Sequence, residues 1–299
     1  TEQKKIQGIS SYVTIQEGCD KFCSFCVVPY TRGPEYSRPM KSLIDEVDSL
    51  TKNGAKEIVL LGQNVNAYNF TDNGKKINIS DLIEEISKNK KVRRIRYTTS
   101  HPINMSDDLI KLHSTNDKLM PFLHLPVQSG SSEVLKKMNR KYDTDFYIKI
   151  IEKLKSVNPK IEISSDFIVG YPGETDDDFK KTLDLIEKIK FTQSYSFIYS
   201  ARPGTKSALE KDQTPLYVKK ERLSILQNKL REIQFEFNKS FCGTNTEVLV
   251  ENQSSNSEYF FGRTSYMQAV YIKSKNINPG DVKNVYISTC NPKNLYANC

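Results

Sequence analysis

The chain has 299 residues, 37% of them apolar, with 44 Lys and Arg against 36 Asp and Glu for a net charge of +8, and a mean hydropathy of -0.56. That length suits one large domain with a small one. No run approaches the roughly 20 apolar residues of a membrane helix, and the opening TEQKKIQG lacks the apolar core of a signal peptide. The basic excess, with a pI near 9.0, favours a polyanionic partner such as nucleic acid, although lysine rising with Asn and Ile is equally what AT-rich coding produces. Six cysteines in 299 residues are ordinary usage, so a reducing cytosol, or an organelle interior, is the expected setting.

Over the first 200 residues, short apolar runs alternate with amphipathic segments, the pattern of repeated parallel βα units. Strands are expected at 9–15, 57–61, 93–98, 122–125, 162–169 and 195–199, with helices at 40–53, 80–89, 106–115, 143–156 and 175–190. Ser80 and Ser106 stand where caps belong, and Thr175 with Asp178 has capping-box spacing. The fold class is therefore α/β, a partial (β/α)6 TIM-like barrel short of the complete eight units, with its functional face at the C-terminal ends of the strands. Five polar or Gly-rich loops gather there: the long loop after strand one, Gly62-Gln63-Asn64, His101-Pro102, the loop from Pro126 to Gly130, and the loop from Gly170 to Glu174. The densest basic run, Lys88, Lys90, Lys91, Arg93, Arg94 and Arg96, reads equally as a solvated helix-to-strand junction or as a binding patch.

Beyond residue 199 the pattern changes. Residues 200–205 are turn-rich, and 215–241 read as a helix with Leu223, Leu226, Leu230, Ile233 and Phe237 on one stripe. The stripe is too short for a coiled coil and is read as a helix laid against the barrel. From 244 onward, β-like runs at 247–250, 259–263, 269–272 and 282–287 suit a small antiparallel β-barrel, a module that often binds oligonucleotides and equally serves as a protein contact. The expected domains are 1–240 and 241–299.

The first loop carries the chemistry. Cys19, Cys23 and Cys26 have CxxxCxxC spacing, and three thiolates so placed can hold three irons of a four-iron, four-sulfur cluster. The fourth iron then keeps an open position, the feature that separates catalytic from structural zinc sites as well. A structural zinc site wants four ligands, and His101, His113 and His124 lie far along the chain. Cys242, Cys290 and Cys299 show no disulfide rhythm, and a thioredoxin-like pair of Cys23 and Cys26 leaves Cys19 without a role.

With Phe25 before the last cysteine, this loop resembles that of the radical S-adenosylmethionine (SAM) superfamily. Longer strings are similar to its methylthiotransferases: Gly18 through Cys26-Val-Val-Pro-Tyr-Thr-Arg-Gly33, Leu60-Leu-Gly-Gln-Asn-Val-Asn66, Thr98-Thr-Ser-His-Pro102, His124-Leu-Pro-Val-Gln-Ser-Gly-Ser131, Asp166-Phe-Ile-Val-Gly-Tyr-Pro-Gly-Glu-Thr175 and Phe197-Ile-Tyr-Ser-Ala-Arg-Pro-Gly-Thr205. The likeness covers nearly the whole chain. It is strongest to the branch acting on isopentenyladenosine in tRNA, because ribosomal-protein methylthiotransferases typically carry Asp where Asn64 stands and the threonylcarbamoyladenosine branch differs there too.

The resemblance implies the rest. SAM chelates the open iron, one electron cleaves its S–C5′ bond, and the resulting radical abstracts hydrogen from carbon 2 of the adenosine beside the anticodon. Phe25, Gly62, Gln63, Gln128, Ser129 and Asp166 are implied contacts of SAM, and Tyr30, Arg32, Arg38 and Arg202 implied contacts of tRNA, although turn glycines, a structural acid and structural salt bridges explain several of them equally. The small barrel is implied to be a TRAM domain that touches tRNA. An electron donor such as a flavodoxin or ferredoxin is implied, and a monomer is expected. Full-length relatives carry an N-terminal domain with three more cysteines and a second cluster; this polypeptide is expected to bind one cluster and to cleave SAM without completing methylthiolation. The rival readings are a methylthiotransferase for threonylcarbamoyladenosine or a ribosomal protein, and a non-catalytic RNA-binding paralogue.

Overall fold

The computed structural model describes residues 8–254, 258–274 and 276–298; the first seven residues of the opening segment and Cys299 lie outside them. Six parallel strand positions follow one another around an incomplete barrel. They are β1 (Ser10–Thr14), β2 (Glu57–Leu61), β3 (Arg94–Tyr97), β4 (Phe122–His124), β5 (Glu162–Ser164 continued as Asp166–Val169) and β6 (Tyr195–Ile198). β1, β2 and β3 form one parallel sheet. A single bridge from Ile95 to Leu119 leads toward β4, which pairs with the first half of β5. The second half pairs with β6.

The expected unbroken strand at 162–169 is thus interrupted at Ser165. Its backbone N–H donates to Ser194 Oγ, and its own Oγ accepts from the Val127 N–H, so the chain changes partner from β4 to β6 at this residue. The other strands lie within the expected ranges, one or two residues shorter where they differ, because end residues lack ladder partners.

The helices are α1 (Val28–Arg32), α2 (Met40–Lys52), α3 (Ile79–Ser87), α4 (Asp107–Thr115), α5 (Ser132–Lys137), α6 (Thr144–Val157), α7 (Asp176–Ile189) and α8 (Leu216–Lys239). Sequence periodicity missed α1 and α5, since five or six residues show too little of a 3.6-residue repeat. Two caps depart from expectation. Asn78, not Ser80, caps α3, accepting from the Ser80 and Asp81 N–H groups, and Ser106 at the start of α4 makes no capping hydrogen bond. The box at α7 is present in both directions, Thr175 accepting from Asp178 N and Asp178 from Thr175 N, with three aspartates favourably placed against the helix dipole.

One apolar core lies between strands and helices, including Ile58 and Leu60 of β2 and Leu226, Leu230 and Ile233 of α8. Fully burying each such side chain contributes roughly 1.5–3 kcal/mol. Arg222 fastens α8 to the barrel by pairing with Glu174 at 2.6 Å and Asp176 at 2.7 Å.

Past α8, five strands close a second, small barrel: β7 (Asn245–Gln253), β8 (Tyr259–Thr264), β9 (Ala269–Lys273), β10 (Val282–Cys290) and β11 (Asn294–Asn298). The unexpected β11 closes it, lying parallel to β9 and antiparallel to β10. It is hidden in sequence by its run of Asn and Tyr.

The basic run at 88–96 is split by the fold. Arg94 and Arg96 are 1% and 5% exposed and face the small barrel. Arg94 donates to Arg263 O and pairs with Glu247 at 3.0 Å. Arg96 pairs with Glu57 at 2.8 Å and donates to Thr264 O and Ser265 O. These two arginines are therefore not a solvated junction; they pair across the joint between the barrels.

Candidate active site

The loop between β1 and α2 holds the three cysteines at the C-terminal mouth, held in place by backbone and amide contacts. Gln16, fully buried, donates through Nε2 to Gly18 O and accepts the Asn64 N–H on Oε1. Gln63 Oε1 accepts the Gly18 N–H at 2.7 Å, and Cys19 N–H donates to Gly33 O at 3.2 Å. The loops after β1 and β2 are thereby one unit.

Gly18 has φ +74, and a Cβ there would stand 2.0 Å from Pro34 O. Gly18→Ala is therefore expected to cost about 1–2 kcal/mol in backbone strain and to displace the loop. The measurable outcome is iron retention reduced at least about threefold at an unchanged far-ultraviolet circular dichroism spectrum.

The three thiols are free and part-buried. Cys26 N–H donates to Cys23 O, making a turn that brings these two together, and both line a cavity of about 190 Å3. Burial pushes the Cys19 and Cys26 thiols above their ordinary pKa. Among the described residues no group of three His, Cys, Asp or Glu side chains could hold a single metal ion; a cubane cluster asks instead for one thiolate on each of three irons.

Two buried polar atoms at this mouth fit a polar ligand there. Asn64 Oδ1 is buried without a partner, as is His101 Nε2. His101 Nδ1 accepts the Ile103 N–H, so Nε2 is a donor; burial and the charges of Arg140 and Lys21 push the His101 pKa down to about 2, which keeps the ring neutral. Asn64 donates through Nδ2 to Glu35 at 2.7 Å and to Asn104 Oδ1 at 3.2 Å. An Asp at position 64 would set a carboxylate against both acceptors.

The structure sorts the remaining sequence-selected residues. Phe25 packs on Val134, Met138, Tyr171 and Tyr199. At Gly62 a Cβ would stand 2.7 Å from Gln16 Oε1, so the glycine allows the two loops to approach. Gln128 has φ +77 and bridges to the second half of β5, donating to Asp166 O and accepting from Ile168 N; such a backbone in a non-glycine residue is a strained position of the kind found at functional sites. Ser129 is 0% exposed; its Oγ contacts Thr182 Oγ1 of α7 and accepts the Ser131 N–H. Asp166 lies 3.5 Å from His124 Nε2.

Of the basic and aromatic set, Tyr30 is exposed, edge-on to Phe22, and Arg32 and Arg202 are exposed. Arg38 is committed to structure, donating to Thr14 O at 2.6 Å and pairing with Glu46 at 2.8 Å.

Sequence reasoning missed Arg140. Its Nη1 donates to Cys23 Sγ at 3.4 Å across 117 positions, and no spacing rule reaches that far. It missed, too, a cavity of about 540 Å3 inside the barrel, walled by Tyr12, Phe122, His124 and Tyr195 and floored by Glu251, Arg263 and Met267 of the small barrel. Alternation along single strands gives lining residues but not a shared floor.

The family model described as the radical SAM superfamily matches residues 13–186, from β1 through α7 and across the cysteine loop. The chain belongs to the radical SAM superfamily. Residues 239–298 of this radical SAM protein match the TRAM domain, which takes in the whole closed small barrel. Similar curated proteins include the tRNA-2-methylthio-N(6)-dimethylallyladenosine synthases of Rickettsia bellii, 54% identical over 276 residues, covering 92% of this chain and 62% of the relative, and of Pelagibacter ubique, 52% identical over 296 residues, covering 98% and 66%. The chain thus spans about three fifths to two thirds of the length of these relatives. Among solved structures, the radical S-adenosylmethionine methyltransferase TsrM from Kitasatospora setae superposes with a TM-score of 0.55 at 17% identity, covering 68% of this chain and 39% of that one, a likeness of fold. Among the described residues no helix is long and apolar enough to cross a membrane.

Proposed function

We propose that this chain is the radical SAM and TRAM portion of an enzyme that methylthiolates carbon 2 of N6-isopentenyladenosine beside the anticodon of tRNA. The observation that carries this reading is the cysteine loop at the mouth of an open barrel whose inner cavity has aromatic walls and a floor supplied by the TRAM barrel. High identity to the tRNA-acting synthases supports the same substrate.

In this reading Cys19, Cys23 and Cys26 hold one four-iron, four-sulfur cluster, with the radical SAM core ending near 240 and the RNA-binding module starting near 241. When bound, the cluster supplies an open iron for SAM and the electron that breaks its S–C5′ bond. The chain's own residues do the positioning. Gln63 holds Gly18 and the first loop. Gln128 and Asp166 present polar groups at the rim for SAM, with Gly62 letting the neighbouring loops close on it and Phe25 shaping the adjacent wall. Tyr12, Phe122 and Tyr195 offer rings against which an unstacked base can lie. Exposed Tyr30, Arg32 and Arg202 meet the RNA. The electron comes from a flavodoxin- or ferredoxin-type protein, and the setting is the cytoplasm.

The deciding experiment is nucleoside mass spectrometry of tRNA from cells in which the gene encoding this chain is deleted. Loss of 2-methylthio-isopentenyladenosine, with the unmethylthiolated nucleoside accumulating, is expected. Unchanged levels would overturn the proposal, and loss of the threonylcarbamoyladenosine derivative instead would move the substrate to that branch. A second expected result concerns the walls: Tyr195→Ala should weaken binding of an isopentenylated anticodon stem-loop about tenfold, one stacked base being worth about 1–3 kcal/mol, as read by fluorescence anisotropy, while bound iron stays at the parent level.

A further inference from the structure

Four arginines of the described chain are buried: Arg94, Arg96, Arg140 and Arg222. Three have carboxylate partners, Arg94 with Glu247 at 3.0 Å, Arg96 with Glu57 at 2.8 Å, and Arg222 with Glu174 and Asp176 at 2.6 and 2.7 Å. Arg140, 8% exposed, has none among the described residues. Its Nε donates to Tyr142 Oη at 2.8 Å, its Nη2 to Pro126 O at 3.0 Å, and its Nη1 to Cys23 Sγ at 3.4 Å. Its guanidinium lies 5.1 Å from the centre of the Tyr142 ring, whose other contacts include the edge-on ring of His101. Burying a guanidinium against neutral groups alone is costly, and proteins otherwise pair such charges. The unmatched cation is aimed at a sulfur.

We propose that Arg140 is a positioning residue for the iron-sulfur centre: the anion its charge is built for is the Cys23 thiolate in its cluster-bound form. The arrangement does two things. It orients Cys23, because Arg140 is anchored through Pro126 and Tyr142 to the loop after β4 and so ties that loop to the cysteine loop. It also sets the electron affinity of the centre. Net charge and hydrogen bonds to the ligand sulfurs govern the potential of such clusters; taking up one electron makes the centre more negative, and a fixed cation donating to Cys23 stabilises that state more than the oxidised one. Arg140 keeps all its protons throughout, and no bond to it forms or breaks. The inference rests on Cys19, Cys23 and Cys26 being the ligands, yet the two fail separately: Cys23→Ala, which cannot ligate iron, retaining a full iron complement would refute the ligand assignment whatever Arg140 does.

The test is an anaerobic redox titration of the reconstituted chain with dithionite as one-electron reductant, following the electron paramagnetic resonance of the reduced cluster, with iron content measured on the same samples. R140Q is expected to hold iron at a more negative midpoint potential than the parent, and R140K, which keeps the charge but not the planar fork, to lie between them. R140Q holding full iron at the parent potential would overturn the proposal. Should R140Q not hold iron, iron held by R140K supports the charge requirement. Loss of iron from both variants would overturn it in favour of a packing role for the guanidinium.

Discussion

Replacing Cys19, Cys23 or Cys26 singly by Ala should reduce bound iron from about four per chain, the number expected for one cluster, to below about one. Formation of 5′-deoxyadenosine from SAM should fall by at least about a hundredfold with it, a loss of about 2.7 kcal/mol or more at about 1.4 kcal/mol per decade. The reasoning is geometric. The cysteine loop is held by Gln16, Gln63 and Gly33 through contacts that do not involve sulfur, so each variant loses a ligand while these contacts stay, and only Cys23→Ala also loses the Arg140 hydrogen bond. Iron analysis after anaerobic reconstitution checks the first number and chromatography of the nucleoside product the second. Cys242→Ala provides the contrast: that thiol packs against the core of the small barrel, and iron content should not change. A Cys19→Ala variant that kept full iron and full SAM cleavage would remove the cluster from this loop.

The second large effect is expected at the joint between the barrels. Glu57, 1% exposed, accepts from Arg96 Nε at 2.8 Å and from Ser10 Oγ. Glu57→Gln keeps the shape and removes the charge, leaving the Arg96 guanidinium buried without its anion. Breaking one side of such a pair costs about 3–5 kcal/mol. The denaturation midpoint in urea should drop accordingly. Because Arg96 also donates to Thr264 O and Ser265 O, the small barrel should loosen from the large one, which limited proteolysis near residues 239–245 would detect. The double variant Glu57→Gln with Arg96→Met should recover a substantial part of the loss, since it removes the stranded charge. A cost below about 1 kcal/mol for the single variant would mean that the pair is effectively solvated.

How much of this was legible beforehand differs by scale. Alternating apolar runs and amphipathic stretches marked every large-barrel strand, because a βα unit buries its strand on both faces and its helix on one. Boundaries and interruptions were harder. Ser165 breaks β5 through hydrogen bonds to Val127 and Ser194, partners that come near only when the barrel forms. β11 looked like loop because its Asn and Tyr residues face outward while Leu295 and Ala297 alone are buried. The contact of Ser129 with Thr182, 53 positions away on α7, likewise comes only with the fold.

The sequence by itself determined that three cysteines sit in one short loop after the first strand, that the core is an open α/β barrel followed by a small β-barrel, and that the family is radical SAM. These follow from short-range order: ligand spacing, periodicity and motif strings all lie within a few tens of residues. Only the tertiary structure decided what surrounds that loop. Arg140 reaches Cys23 from 117 positions away, the basic run delivers Arg94 and Arg96 to the small barrel instead of to solvent, and the inner cavity takes its floor from Glu251, Arg263 and Met267. Each is a contact between segments far apart in the chain, chosen by burial and by the need of a buried charge for a partner, and neither condition exists until the chain is folded.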